Sequence, residues 1–262
     1  MGVRSHLSLS YAGQYTNFLI RLVSTMVLAR LLTPEEIGTF SVAAIVVGVA
    51  HMLREFGTDQ FIIREPDLTR DKIRSALTIT LGMGWGLGLL VVLLSGPMAA
   101  FYGQPEAGTV LLVLALNLFL LPFGSIVRAY LRREFRFGQL YFVRLANGLV
   151  HSGTAITLAS LGYGALSLAW AGPAGGLATV LCLQLFRPRG LPFLPRLRGL
   201  GRVAAFSAFV TGQSVLRELE DGGPELVLGR AAGMDAVGLY GRAQGLRELF
   251  KTTLTAGAVP VA

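Results

Sequence analysis

The sequence predicts an all-α membrane protein, a polytopic bundle of about eight transmembrane helices, and three observations carry that prediction. First, 53% of the residues are apolar and only 15% charged, with a mean hydropathy of +0.60. A soluble domain carries charge on roughly a quarter of its residues, so too little polar surface exists here to face water. Second, apolar runs long enough to cross a hydrocarbon core of roughly 30 Å recur along the chain. Third, basic residues gather in alternate gaps between those runs, as the positive-inside rule requires of membrane helices.

Six spans stand out, at residues 9–32, 37–56, 75–101, 109–130, 139–161 and 165–186, and two more polar ones follow at 203–231 and 236–261. The second gap holds Arg64, Arg70, Lys72 and Arg74. The fourth holds Arg132, Arg133 and Arg136, and the sixth Arg187, Arg189, Arg196, Arg198 and Arg202. The third and fifth gaps have no Lys or Arg, and the first and seventh only Arg30 and Arg230. This alternation places the N-terminus in the cytoplasm of a multi-pass inner-membrane protein. No cleavable signal peptide is evident, so the first span is expected to stay.

Prolines 188, 192 and 195 interrupt the stretch 187–202, which reads as a basic cytoplasmic linker, or as a short surface segment touching anionic lipid. It divides the chain into a first lobe of six helices (1–186) and the start of a second (203–262). The second lobe repeats the first at an offset of 200. Leu28-Ala29-Arg30 matches Leu228-Gly229-Arg230, Ile37-Gly38-Thr39-Phe40 matches Val237-Gly238-Leu239-Tyr240, and Gly57 matches Gly257. Six helices separate the copies, so the repeat is parallel, with an axis along the membrane normal. The chain holds one complete lobe and two helices of the next, which suggests a longer natural protein.

Composition excludes several functions. The formal charge of +8 suggests nucleic acid, but the charges sit between apolar runs, so no nucleic acid is expected. Cys182 is the one cysteine, and His6, His51 and His151 are far apart, so neither a metal nor a cofactor is expected. Short loops without a catalytic base or metal-binding acidic pair argue against a membrane enzyme. The 33 glycines suit close helix packing, and Gly82, Gly84, Gly86 and Gly88 read as ordinary packing positions.

Polar residues within the spans mark the candidate site. Gln14, Asn17, Arg21 and Thr25 share one face of the first span. A central arginine costs about 2.5–3.5 kcal/mol on insertion scales, so Arg21 must face a watery cavity or an anionic partner. Gln213, Arg217, Glu220 and Asp221 form a similar stripe in the seventh span, where Gly222-Gly223-Pro224 breaks the helix ahead of Glu225. The first and seventh spans are expected to face each other across a polar cavity. A structural alternative pairs Arg21 with Asp221 or Glu220 to hold the lobes together. Arg54 is expected to snorkel to the interface or pair with Glu55, and Arg30 to snorkel.

The stretch Leu28-Ala29-Arg30-Leu31-Leu32-Thr33-Pro34-Glu35-Glu36-Ile37-Gly38-Thr39-Phe40, with Phe56-Gly57 and Ile62-Ile63-Arg64, resembles the opening of bacterial polysaccharide flippases of the Wzx type. Leu228-Gly229-Arg230, Val237-Gly238-Leu239-Tyr240 and Arg242-Ala243 resemble that family's second-lobe entry. The family belongs to the multidrug/oligosaccharidyl-lipid/polysaccharide exporter superfamily. The resemblance implies two lobes rocking around a central cavity, moving an undecaprenyl-pyrophosphate-linked oligosaccharide between leaflets alongside the polysaccharide polymerase machinery. Arg21 and Arg217 would attract the pyrophosphate; Gln14, Asn17 and Gln213 would bind sugars; Glu220, Asp221 and Glu225 would serve ion coupling or charge pairing. One departure stands out: the family often has an acid six positions before the basic residue of Leu-Gly-Arg, and here that position is Pro224. The alternatives are a cation-coupled multidrug exporter of the same superfamily, against which the central arginines argue, and an inactive fragment.

Overall fold

The computed structural model describes residues 3–55, 57–188, 191, 223–225 and 227–256. Among them every regular element is helical: α1 Val3–Leu31, α2 Pro34–Glu55, α3 Thr58–Arg64, α4 Arg70–Tyr102, α5 Pro105–Leu120, α6 Pro122–Arg133, α7 Phe137–Ser160, α8 Ala165–Leu185 and α9 Met234–Ala256. Most of the predicted linker and of the seventh span lie outside the described residues, and 227–231 are helical.

Local chemistry sets the boundaries. Thr33 and Glu36 form a capping box at the head of α2: the Thr33 amide donates to Glu36 Oε2 (2.7 Å) and the Glu36 amide to Thr33 Oγ1 (3.3 Å). Pro34 sits at the first helical position, where its missing N–H costs nothing. Thus part of the family-like stretch is a helix start written out in side chains. Gly57 and Gly103 take left-handed conformations, at φ 61° and 65°, that turn the chain between helices.

The fourth predicted span, 109–130, differs from expectation. It is two helices, α5 and α6, meeting at 51° across Leu121. Pro122 opens α6, and a proline cannot donate the bond that would continue α5 through it. By length and composition, Pro34–Arg64, Arg70–Tyr102 and Ala165–Leu185 can each cross a membrane, and the bent α5–α6 pair is either a fourth, broken span or a re-entrant loop. The first and fifth predicted spans, α1 and α7, carry more polar residues, and these two helices pack against each other.

The core forms where α2, α4, α5 and α8 meet, around Ala43, Val47, Val91, Leu111, Leu118 and Ala169. Glycines on α4 and α8 let the backbones close up. Gly84 lies against Pro122 and the Leu118 carbonyl, and Gly88 against the Phe119 ring, whereas Gly82 and Gly86 face open space. Buried Asn117 of α5 lies against Gly172 and Gly176 of α8.

The gaps sort to two ends, as the charge pattern predicts. At one end Gln104 Nε2 donates to Glu35 Oε1 (3.1 Å), Glu36 lies against Gly164, and Arg230 stands over the Phe101 ring at 5.4 Å. The first, third, fifth and seventh gaps therefore meet. At the other end Arg133 of α6 donates to the carbonyls of Ile62 (2.8 Å), Glu65 (2.5 Å) and Pro66 (3.2 Å), and Lys72 pairs with Glu65 at 2.6 Å. Leu191 closes over Phe61, Ile73 and Leu77 there. The second and fourth gaps, both strongly basic, share this second end, and Leu191 of the sixth lies with them.

Candidate functional site

The site is built where α1, α2 and α9 come together. α2 and α9 cross in close backbone contact at two glycines. A Cβ on Gly38 would overlap the Met234 carbonyl, and a Cβ on Gly238 would overlap the Pro34 carbonyl. The contact is reciprocal at an offset of 200 in both members, the offset at which the sequence repeats. Only glycine permits such an approach, which is how small residues bring membrane helices together. Val42 packs beside the crossing with Met234 and Val237. Gly229 lies against Tyr102 and Val42.

Arg242 of α9 ties this crossing to α1. Its Nη2 donates to the carbonyls of Leu32 (2.8 Å) and Ala29 (3.5 Å), which lie at the C-terminus of α1. A cation at that end satisfies carbonyls with no helical partner and complements the helix dipole.

The residues expected to meet substrate are distributed as follows. Gln14 and Asn17 lie on α1. Arg21, three turns from the end of that helix, has an exposed side chain and lies close enough to His151 of α7 to act on its charge. Gln213, Arg217, Glu220 and Asp221 fall outside the described residues. Glu225 is half-buried at the α2–α9 crossing: a Cβ on Gly241 would stand 3.8 Å from its Oε1 and 3.3 Å from Ser41 Oγ. Thus one predicted acid sits at the junction of α2 and α9, and one predicted arginine on the exposed face of α1.

Arg54 corrects the sequence reading. It is 2% exposed, the largest fully buried side chain among the described residues, so it does not snorkel, while the side chain of Glu55, the other partner considered, lies outside the described ones. Its stem runs beneath Gly84 of α4, where a Cβ would lie 3.3 Å from Arg54 Cδ. The absent side chain at Gly84 leaves the space that the arginine fills. A second polar seam that the sequence did not single out joins α7 to α8: Asn147 Nδ2 donates to Thr179 Oγ1 (3.0 Å), beside Gly175.

Comparison with known proteins agrees with this architecture. The chain is similar to the succinoglycan biosynthesis transport protein ExoT of Rhizobium meliloti, at 26% identity over 92% of this chain and 49% of that one. It is 25% identical to the lipopolysaccharide biosynthesis protein WzxC of Escherichia coli, over 84% of this chain and 45% of that one. It therefore spans about half the length of these curated relatives. Among solved structures it resembles an inward-facing multidrug resistance transporter of the MATE family, in the MOP superfamily. That likeness has a TM-score of 0.51 and 17% identity, and covers 93% of this chain and 57% of the transporter. The family described as polysaccharide biosynthesis protein matches from residue 27 to 262, through the capping box, both crossing glycines and Arg242, and the chain belongs to that family.

Proposed function

We propose that this chain forms the first lobe and the opening of the second lobe of a flippase. The flippase would carry a polyprenyl-pyrophosphate-linked oligosaccharide across the bacterial cytoplasmic membrane by alternating access. The first lobe runs over 1–186, the basic linker over 187–202, and the second lobe begins at 203. The observation that carries this reading is the glycine crossing of α2 and α9. It closes the end that holds the weakly charged gaps, while the strongly basic gaps gather at the other end. The positive-inside rule makes the closed end periplasmic and the N-terminus cytoplasmic, which corresponds to an inward-facing state. The relatives' printed roles, in succinoglycan transport and lipopolysaccharide biosynthesis, support a glycan cargo.

In this mechanism Arg21 and Arg217 hold the pyrophosphate, since guanidinium matches phosphate with paired hydrogen bonds. Gln14, Asn17 and Gln213 bond the sugars. Glu220, Asp221 and Glu225 bind the coupling cation or pair with the arginines once cargo leaves. The acyl tail stays in the bilayer, and the polymerase machinery takes the product. No bond is made or broken. Arg21→Ala in the full-length protein tests the assignment: glycan export is expected to stop at normal expression, and unchanged export would remove Arg21 from the site.

A further inference from the structure

The inner ends of α6 and α7 carry a cluster that the transport reading does not use. Arg128 and Arg132 lie one turn apart on α6, and both reach the same oxygen of Asp59 on α3, at 3.4 and 3.6 Å. Charge-assisted hydrogen bonds are shorter, about 2.7–2.9 Å. Asp59 is thus shared between two guanidiniums, each of which carries five donors. Arg144 of α7 joins them, close enough for Arg128 and Arg132 to act on its charge. Residues 55–59 and 128–144 together hold five arginines against Glu55, Asp59 and Glu134, an excess of two positive charges.

An apolar tip adjoins this charge. The turn from α6 to α7 holds Phe135 at φ 54°, a conformation non-glycine residues rarely adopt, and leaves its ring 74% exposed. Phe137 meets it edge-on at 5.9 Å and is also exposed. Farther along α7, exposed Phe142 meets Phe186 at 5.9 Å. Exposed phenylalanine rings set an apolar surface beside the arginines, and an apolar face joined to a cationic one fits the boundary between acyl chains and headgroups.

We infer that Arg128, Arg132 and Arg144, with the Phe135–Phe137 turn, bind the phosphate headgroup of an anionic phospholipid in the leaflet at the basic end. The rings enter the acyl boundary, the guanidiniums take the phosphate oxygens, and Asp59 holds two of the arginines in place while competing with the ligand. This inference needs only that the chain sits in a membrane, so it stands or falls independently of glycan export.

The test is native mass spectrometry of the chain released from phosphatidylcholine nanodiscs with or without phosphatidylglycerol, counting retained lipids. Arg132→Gln and Arg144→Gln are each expected to lower the preference for phosphatidylglycerol about fivefold, the worth of one interfacial basic residue. Asp59→Asn is expected to raise it, an outcome that a purely structural carboxylate would not give. Should Arg132→Gln fail to fold, the exposed Arg144 carries the test. Unchanged preference in folded variants overturns the inference. So does a loss confined to an added polyprenyl diphosphate, because the arginines would then serve cargo rather than bilayer lipid.

Discussion

Arg133 and Lys72 show that two cations at one end of a molecule can differ in consequence. Arg133 is partly buried and gathers the carbonyls at the end of α3, groups that no helical amide reaches. Its replacement by Ala leaves them to find other donors, at about 1–3 kcal/mol. Lys72 pairs with Glu65 where water competes, and such pairs contribute about 0.2–1 kcal/mol. Thermal unfolding in detergent is therefore expected to drop clearly for Arg133→Ala and little for Lys72→Ala. Thr33→Ala is a third case: loss of the capping box is expected to cost about 1 kcal/mol in the same assay.

Arg54 shows why some residues resist reading from sequence. Its neighbour Glu55 suggests local pairing, and its place near a helix end suggests snorkelling. Its burial is made possible in part by Gly84 on a different helix, and no local pattern couples the two. Arg21 was singled out on the opposite kind of signal: its polar neighbours Gln14, Asn17 and Thr25 recur within its own helix.

At the scale of elements, most helices follow from the apolar runs and the alternation of charge. α2, α7 and α8 begin and end within three residues of the expected spans. The α5–α6 break was hidden because residues 109–130 stay apolar through the bend, and composition alone does not register direction. Pro122 held part of the missing information, since a proline removes one helical hydrogen bond, but α4 and α8 run on through Pro97 and Pro173, so a proline alone does not mark a break. The glycines of α4 divide by face in the same way. Gly84→Val is expected to force α4 from Pro122 and the Leu118 carbonyl, at about 1–3 kcal/mol or more of overpacking. Gly86→Val, which meets nothing, is expected to leave folded yield and melting temperature near wild type. Equal losses from both variants would show that α4 packs differently from this arrangement.

The whole molecule turns on the α2–α9 crossing. Gly38→Val and Gly238→Val each push against the opposite backbone, and each is expected to reduce export by the full-length protein sharply. Because they disturb one contact, the double variant is expected to be little worse than either single one. Export assays of the three variants, with protein levels matched, check this; multiplicative losses would mean that the two glycines act at separate places. The offset of 200 was visible in the sequence as matched words, but its physical reason was not. Only the packing shows that Gly38 makes room for the Met234 carbonyl and Gly238 for the Pro34 carbonyl.

That geometry has a consequence for how the two halves of the sequence can drift. At positions 34 and 234 the contact is made by a backbone oxygen, which every residue type possesses. Pro34 and Met234 differ freely in side chain while performing the same duty. At positions 38 and 238 the contact is made by the lack of a side chain, so neither can change alone or in concert. At this crossing the two halves therefore agree at the glycines, where a side chain would collide, and differ at Pro34 and Met234, where the contact is made by backbone alone.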